Sequence, residues 1–241
     1  MPRFYCPPPL VAGTLVDLPE AVAHHLHVVR QQSGDELVLF DGSGGQVRAR
    51  LVEIGKRRAT AEVLAHDAVD IELPFRMTLA QGLPEGSKMD WIVEKAVELG
   101  ASHIQPVTAR RSVVRLSGER AEKRLAHWQG VVVSAAEQCG RNRLADVAPV
   151  QDFPRWLATP AAGVRVLLSP RADASLAEWT RARPAQDVAL LIGPEGGFTD
   201  EEEDAALAGG AVALSMGPRV LRTETAGLAA LAILAAGWGG I

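Results

Sequence analysis

The spacing of apolar and polar residues changes character near residue 72. Before that point, three short segments have the apolar pattern of strands, at residues 36–40, 46–52 and 58–64. The glycine-rich cluster 41–45 predicts the turn between the first two strands, and an amphipathic helix is predicted over 19–30. Short strands with one helix are typical of a small β-barrel. We therefore assign residues 1–72 to one β-rich domain.

After residue 72, strands alternate with helices, which is the signature of an α/β layer fold. Short apolar runs predict strands at residues 75–80, 103–107, 164–169, 187–192 and 211–215. Helical periodicity or capping residues predict helices at 88–99, 119–139 and 176–182, after Thr199, and in the final apolar stretch 226–241. We assign residues 73–241 to this second, α/β domain.

Polar residues before the predicted helices indicate how the helices begin. Thr199 and Glu202 have the spacing of a capping box, in which each side chain bonds to the other residue's backbone amide. Ser87 is placed to cap the helix that starts at Lys88, and Thr223 or Thr225 to cap the last helix.

Two glycine-rich turns stand near the end of the chain, at 193–197 and at 217–222. Each follows an apolar run that predicts a buried strand, and open α/β sheets bind ligands at the carboxyl ends of their strands. Glycine lets the backbone turn sharply or approach a ligand closely, although turn glycines commonly mark turns alone. Neither turn has the G-x-G-x-x-G or the P-loop spacing. The pattern predicts one pocket built from main chain, and it disfavours a dinucleotide or nucleoside triphosphate.

Charged residues in these turns are candidates for chemistry. Glu195 lies between glycines of the first turn, where it serves either a site or only a helix cap. Arg219 and Arg222 lie beside Glu224 in the second turn. They form either a surface ion pair or a contact with an anionic substrate, because a guanidinium suits that geometry.

A basic stretch runs from residue 110 to residue 143, although the whole chain has a net charge of −4. Its cations are Arg110, Arg111, Arg115, Arg120, Lys123, Arg124, Arg141 and Arg143. The stretch is either a solvated helical face or a phosphate-binding surface. His24, His25 and His27 share one predicted helix, but their spacing is not that of a zinc site, and we predict no metal.

Composition restricts the remaining classes. The 241 residues include only two cysteines, Cys6 and Cys139, which are too few for a disulfide framework. A reducing, cytoplasmic setting is the simpler expectation. The N-terminus lacks the apolar core of a secretory signal. The stretch 226–241 is short for a membrane span and is interrupted by glycines, so we expect a buried helix there and no membrane association.

Several motifs together resemble one known family. They are His24-His25-Leu26 with Arg30 and Gly34-Asp35, Gln81-Gly82-Leu83-Pro84, Lys88-Met89-Asp90, Glu94-Lys95-Ala96 with Glu98-Leu99-Gly100, Pro106 with Arg110-Arg111-Ser112, Glu137-Gln138-Cys139-Gly140-Arg141, Gly193-Pro194-Glu195-Gly196-Gly197-Phe198, and Gly217-Pro218-Arg219-Val220-Leu221-Arg222-Thr223-Glu224-Thr225-Ala226. The chain resembles the RsmE-type 16S ribosomal RNA (uridine-N3) methyltransferases, of the knotted SPOUT class. The last two motifs are highly specific in combination.

The resemblance implies a fold, a cofactor and partners. It implies an N-terminal PUA-like barrel that helps bind RNA, and a C-terminal α/β domain with a trefoil knot. S-adenosylmethionine would lie in the knot, and the protein would act on 16S rRNA of the 30S subunit as a homodimer. The implied cofactor-binding residues are Leu168, Ser169, Gly193, Glu195, Gly196, Gly197, Leu214, Ser215, Met216, Gly217, Arg219, Val220, Leu221 and Thr225. The implied RNA-binding residues are Arg3, Arg30, Arg110, Arg111 and Arg141.

The implied reaction is methyl transfer to uridine N3, on the Watson–Crick edge, so the base must be unpaired or extruded. Arg222 is the candidate for stabilising the uracil anion, and Glu195 and Glu224 are the candidate bases. Two other classes stay open on the residues alone. They are a nucleotide-dependent enzyme acting on a small molecule and a non-catalytic RNA-binding module.

Overall fold

Two separate sheets organise the chain, which is described here by a computed structural model over residues 1–240. The first unit comprises Met1–Glu72 with Ala136–Leu144. The second comprises Leu73–Ala135 and the chain from Ala145 onward. The fold is therefore mixed α/β, as the residue pattern predicts.

The first unit contains a five-stranded sheet in the order β1-β3-β4-β5-β2. Its strands are β1 Arg3–Tyr5, β2 Leu15–Asp17, β3 Glu36–Phe40, β4 Gln46–Ile54 and β5 Ala59–Asp67. Helix α1, Glu20–Val28, packs on β4. The three predicted strands are confirmed. The pattern did not predict β1 and β2, because three residues are too few to establish an alternation.

The second unit contains a seven-stranded parallel sheet in the order β12-β10-β11-β6-β7-β8, in which β9 also pairs with β7. Its strands are β6 Met77–Gly82, β7 His103–Thr108, β8 Asp146–Val147, β9 Gln151–Asp152, β10 Val164–Leu168, β11 Val188–Ile192 and β12 Val212–Leu214. The five predicted strands are confirmed. Every residue of β11 is buried, which explains its continuous apolar sequence, since parallel sheets are covered on both faces.

The helices are α2 Lys88–Glu98, α3 Gly118–Cys139, α4 Phe153–Leu157, α5 Leu176–Arg181, α6 Asp200–Ala208 and α7 Thr223–Gly237. The predicted final helix is confirmed as α7, and Ile241 lies outside the described residues. Among residues 1–240, no helix combines the length and apolar character needed to cross a membrane. Helix α7 packs on α2, α5, β6 and β11. Gly227 permits this approach, because a Cβ there would lie 3.2 Å from Leu79 Cδ1.

The helix starts differ in part from their prediction. The capping box of Thr199 and Glu202 is confirmed. Ser87 occupies the N-cap position of α2, but its hydroxyl makes no capping hydrogen bond. The prediction that Thr223 or Thr225 caps α7 is wrong, since the N-cap is Arg222 and no side chain caps the helix. The Thr223 hydroxyl bonds instead to the Gly193 carbonyl oxygen.

Candidate functional site

A cavity of about 750 Å³ lies at the carboxyl ends of three neighbouring strands of the second unit. The segment after β10, the glycine turn after β11 and the turn after β12 form its walls. Parallel strands end at the same edge of a sheet, which is where open α/β folds bind ligands. The predicted main-chain pocket between the two glycine turns is therefore present.

Most of the predicted site residues line this cavity. They are Leu168, Ser169, Gly193, Glu195, Gly196, Gly197, Met216, Gly217, Arg219, Val220, Leu221, Arg222 and Glu224. Leu214, Ser215 and Thr225 are not among the lining residues. The Leu214 carbonyl accepts a hydrogen bond from the Ser169 amide (3.1 Å), Ser215 pairs with the segment before α5, and Thr225 is exposed on the first turn of α7.

Close backbone packing shapes the first glycine turn. A Cβ on Gly193 would lie 2.9 Å from the Gly197 main chain, so the turn folds back on itself only with glycine there. A Cβ on Gly82, at the end of β6, would lie 2.5 Å from the Pro194 nitrogen. Gly197 adopts φ +68°, in the left-handed region that favours glycine. The glycines thus fix the shape of the cavity wall.

A buried chain of hydrogen bonds joins the second turn to the first. The Gln81 side-chain amide donates to Thr223 Oγ1 (2.8 Å), and the Thr223 hydroxyl donates to the Gly193 carbonyl oxygen (2.5 Å). Gln81 and Thr223 are both buried. Buried polar groups that find partners hold a structure in one arrangement. The start of α7 is thereby held against the first glycine turn.

Glu195 is tied to the start of α2. Its Oε1 accepts hydrogen bonds from Lys88 Nζ (2.5 Å) and from the Glu85 amide (3.0 Å). Partial burial opposes ionisation, but the bonds from Lys88 and Glu85 prevail and lower the pKa of the Glu195 carboxyl. The carboxylate is ionised near neutral pH, and a lowered pKa makes it a weak proton acceptor.

Arg222 and Glu224 lie on the cavity wall without strong partners. Glu224 Oε2 is buried and has no hydrogen-bond partner within residues 1–240. The exposed Arg222 side chain makes no hydrogen bond or ion pair with the described part of the chain. A buried acceptor without a donor is costly, so Glu224 can accept a hydrogen bond from a ligand. The Arg222 guanidinium is likewise available to a ligand, because no other described residue competes for it.

A second charged cluster lines the same cavity. Arg171 donates to Asp200 Oδ1 and to Glu203 Oε2, each at 2.8 Å. Glu203 also accepts from the Ser169 hydroxyl (3.2 Å). The hydrogen bonds from Arg171 to Glu203 and Asp200 raise the pKa of its guanidinium. These carboxylates are therefore already paired.

The predicted RNA-binding arginines of the second unit differ in their surroundings. Arg111 lines the cavity, and its Nη1 donates to the carbonyls of Gly196 (3.0 Å) and Phe198 (3.1 Å). Arg110 is exposed and lies 3.9 Å from Glu201. Its backbone amide donates to Glu202 (2.8 Å), the capping-box residue. Arg111 thus supports the first glycine turn, whereas the Arg110 side chain faces solvent.

In the first unit, two of the three predicted RNA-binding arginines make internal contacts. Arg141 is 4% exposed, and its Nε donates to Glu72 Oε1 at 2.9 Å. Arg3 donates to Gln46 and Asn142 and lies over the Phe40 ring. Arg30 is exposed directly after α1. The structure therefore leaves Arg30 accessible and buries Arg141.

Sequence reasoning missed several residues of the site. Gln81, Lys88 and Thr223 lie within the recognised motifs, but their residue types did not predict these contacts, because their partners are distant in sequence. Arg171 and Glu203 lay outside every motif. Among residues 1–240, no group of three or more His, Cys, Asp or Glu side chains is placed to hold a metal ion.

Comparison with known families agrees with this arrangement. Residues 71–235 match the family described as RNA methyltransferase domain, and residues 18–64 match the RNA methyltransferase PUA domain. The expected PUA-like N-terminal domain is thus confirmed.

Individual relatives share the match. Ribosomal RNA small subunit methyltransferase E from Synechocystis is 36% identical, covering 95% of this chain and 76% of that protein. Its Bacillus subtilis counterpart is 30% identical, covering 89% and 87%. The crystal structure of that enzyme from Neisseria gonorrhoeae, bound to S-adenosylmethionine, has a TM-score of 0.91 at 41% identity and covers 99% of this chain and 98% of its own. A Legionella pneumophila structure in complex with S-adenosylmethionine has a TM-score of 0.92 at 32% identity, covering 97% and 96%. The chain belongs to the ribosomal RNA small subunit methyltransferase E family.

Proposed function

We propose that this protein transfers a methyl group from S-adenosylmethionine to N3 of a uridine in the 16S rRNA of the small ribosomal subunit. The observation that carries this proposal is the cavity between two glycine turns in a chain of this family. Relatives named for small-subunit rRNA methylation and similar structures with S-adenosylmethionine bound support it.

The cavity residues fit S-adenosylmethionine. Its volume of about 750 Å³ lies in the usual range for cofactor sites. Gly197 and Gly217 line it with φ of +68° and +93°, and a Cβ on either would meet nothing within 4 Å, so the main chain there is uncovered. Leu168, Ile192 and Met216 supply apolar walls for an adenine ring. The lining residues assigned to the cofactor by the resemblance would hold it largely through backbone.

When bound, S-adenosylmethionine supplies an activated methyl group on its sulfonium. The protein must then position the uracil and accept the proton from N3, since that nitrogen attacks the methyl group only as the proton leaves. We assign Arg222 to the uracil oxygens, where its charge stabilises the developing anion. We assign Glu224 to the proton, because its Oε2 is a buried acceptor without a donor. Glu195, held ionised by Lys88, fixes the first turn.

We also propose that the second unit contains a trefoil knot. After β12, at one end of the sheet order, the chain passes the carboxyl ends of β10 and β11 and enters α7, which packs on β6 and β11. The Gln81–Thr223–Gly193 hydrogen bonds hold this crossing against the first turn. Knots are rare, and family membership is what favours one here.

The remaining assignments concern domains and partners. We propose that residues 1–72 form an RNA-binding domain, to which Arg30 contributes an exposed cation, and that 73–241 form the methyltransferase domain. The protein would act in the cytoplasm as a homodimer. Exposed apolar side chains on the second unit, Trp91 and Val113, support a partner chain.

The decisive experiment is transfer of labelled methyl groups to 30S subunits that lack the modification, followed by mapping of the modified base. Label at N3 of one uridine is the expected result. Calorimetry with S-adenosylmethionine and with NAD separates this function from a dinucleotide enzyme. RNA binding without methyl transfer would leave only a binding module, and the proposal would be wrong.

A further inference from the structure

A second cavity, of about 510 Å³, lies outside the methyltransferase site. Its lining residues are Val114, Arg115, Leu116, Arg120, Lys123 and Arg124. Four of these six side chains are cationic, and none is acidic. We propose that this basic cavity binds phosphates of the substrate RNA that flank the target uridine, an inference that rests on the proposed function of the neighbouring site.

The positive charges of this basic cavity are only weakly compensated. Lys123 pairs with Glu119 at 2.7 Å, but both side chains are about three-quarters exposed, and exposed pairs exchange readily for other partners. Arg115 donates to the Arg110 carbonyl, a neutral group. Arg120 makes no ion pair within residues 1–240.

Arg124 has a shared partner. It lies 3.8 Å from Asp90 Oδ1, an oxygen that already accepts a hydrogen bond from Trp128 Nε1 at 3.0 Å. The other oxygen of Asp90 lies 3.0 Å from His127 Nε2. One carboxylate thus serves three neighbours. Asp90 therefore neutralises the Arg124 guanidinium only in part, and the guanidinium can still bind an anion. Proteins bind polyanions by neutralising phosphates with such cations.

The basic cavity is also close to the methyltransferase cavity along the chain. Arg111 lines the latter and Leu116 lines the former. Leu116 is five positions after Arg111, so their Cα atoms lie at most about 18 Å apart even if the chain is fully extended. An RNA strand that inserts one base into the first cavity therefore carries neighbouring phosphates past the second. Enzymes that extract a base commonly contact the flanking nucleotides as well.

The contacts of the other arginines favour this location. Arg141 is buried against Glu72, and Arg111 donates to the first glycine turn. Neither has the freedom that a phosphate ligand needs, although both belong to the basic stretch of the sequence. Apart from the exposed Arg110 and Arg143, which lie beside Glu201 and Asp70, the weakly compensated cations of the stretch are those of the basic cavity. The geometry therefore points to residues 115–124 as the phosphate-binding part of that stretch.

The test compares two variants with the same loss of charge. One is Arg115→Gln with Arg120→Gln and Lys123→Gln. The control is Arg76→Gln with Arg155→Gln and Arg181→Gln, three exposed arginines elsewhere on the second unit. Fluorescence anisotropy with a single-stranded RNA containing the target uridine gives the affinity over a range of salt concentrations. Each lost phosphate contact should reduce the salt slope by about 0.7, so we expect a slope smaller by about 2 for the first variant alone.

An RNA length series sharpens the result. Wild-type affinity should rise as nucleotides are added beside the target uridine, and the first variant should lose that gain. Unchanged S-adenosylmethionine binding and unchanged thermal unfolding show that the variant is folded. Equal slopes in both variants, or an unchanged slope in the first, would overturn the proposal. If methyl transfer by the wild type is absent while the slope difference is present, the proposed function fails and the phosphate site stands.

Discussion

The hydroxyl of Thr223 donates a hydrogen bond of 2.5 Å to the carbonyl oxygen of Gly193 and joins the two glycine turns of the site. The same hydroxyl accepts a hydrogen bond from Gln81 in the centre of the sheet. Because all three groups are buried or nearly so, the position of the first turn depends on the start of α7. Two segments 30 residues apart in the sequence are thus held as one wall.

Thr223→Val should weaken this wall. Valine keeps the side-chain shape but cannot donate to Gly193, and it leaves the Gln81 amide without one acceptor. We expect a loss of about 1–3 kcal/mol in the free energy of unfolding and a weaker affinity for S-adenosylmethionine. Chemical denaturation and calorimetry measure the two effects. Thr78→Val, on the same strand as Gln81, is the matched control. Equal losses in both variants would contradict the link.

Arg222→Ala should lower turnover far more than cofactor affinity. Arg222 lines the cavity without a partner in residues 1–240, and its proposed role arises only as the uracil becomes an anion. Removal of one such stabilising donor typically costs about 10²–10³ in kcat. Single-turnover methyl transfer and calorimetry separate the two quantities. Arg222→Lys keeps the charge but not the two-pronged geometry, so it should recover part of the rate. A matching loss of cofactor affinity in Arg222→Ala would contradict the role.

Glu224→Gln should impair the proton transfer and leave the cavity intact. The amide has the same size but cannot accept the N3 proton, and removal of a general base typically costs roughly 10²–10⁴ in rate. Single-turnover methyl transfer at pH 7 measures this loss of rate. Glu195→Gln is the comparison. The Glu195 carboxylate is bonded to Lys88, so its loss should affect the fold of the turn more than the chemistry. A large rise in the cofactor dissociation constant for Glu224→Gln would assign Glu224 to binding instead.

The sequence predicted the elements better than the contacts between them. Apolar runs identified β6, β7, β10, β11 and β12, because burial on both faces leaves a strong local signal. The two glycine turns predicted the position of the cavity, because a glycine-rich turn directly after an apolar strand is visible in the local sequence. The environment of Arg141 was not predictable, because its partner Glu72 is 69 residues away. The hydroxyl of Thr223 was expected to cap a helix, and it bonds instead to a residue 30 positions earlier.

The pair of Lys88 and Glu195 should make stability depend on pH in the acid range. The pKa of Glu195 is lower in the folded protein than its ordinary value, despite partial burial, because Lys88 and the Glu85 amide bond to the ionised form. The resulting stabilisation is present above the unfolded pKa, about 4.3, and is lost as pH falls through the lower folded value. Lys88→Met should therefore lower the melting temperature at pH 7, and the difference from wild type should shrink towards pH 3. Lys56→Met, an exposed lysine without an ion pair among residues 1–240, is the control. A difference that is constant with pH would argue against the pair.

Arg141 and Arg143 provide a matched test of a buried and an exposed ion pair. Arg141 and Glu72 have side chains that are 5% and 16% exposed, whereas those of Arg143 and Asp70 are 53% and 42% exposed. Arg141→Ala leaves the largely buried Glu72 carboxylate without its positive partner, and we expect a loss of roughly 3 kcal/mol in the free energy of unfolding. Arg143→Ala should cost at most about 1 kcal/mol. The double variant Arg141→Met with Glu72→Met should recover most of the stability, because an apolar pair needs no charge compensation. Its RNA affinity should keep the wild-type salt slope, since Arg141 is buried. A smaller salt slope in the folded double variant would instead show that Arg141 contacts RNA.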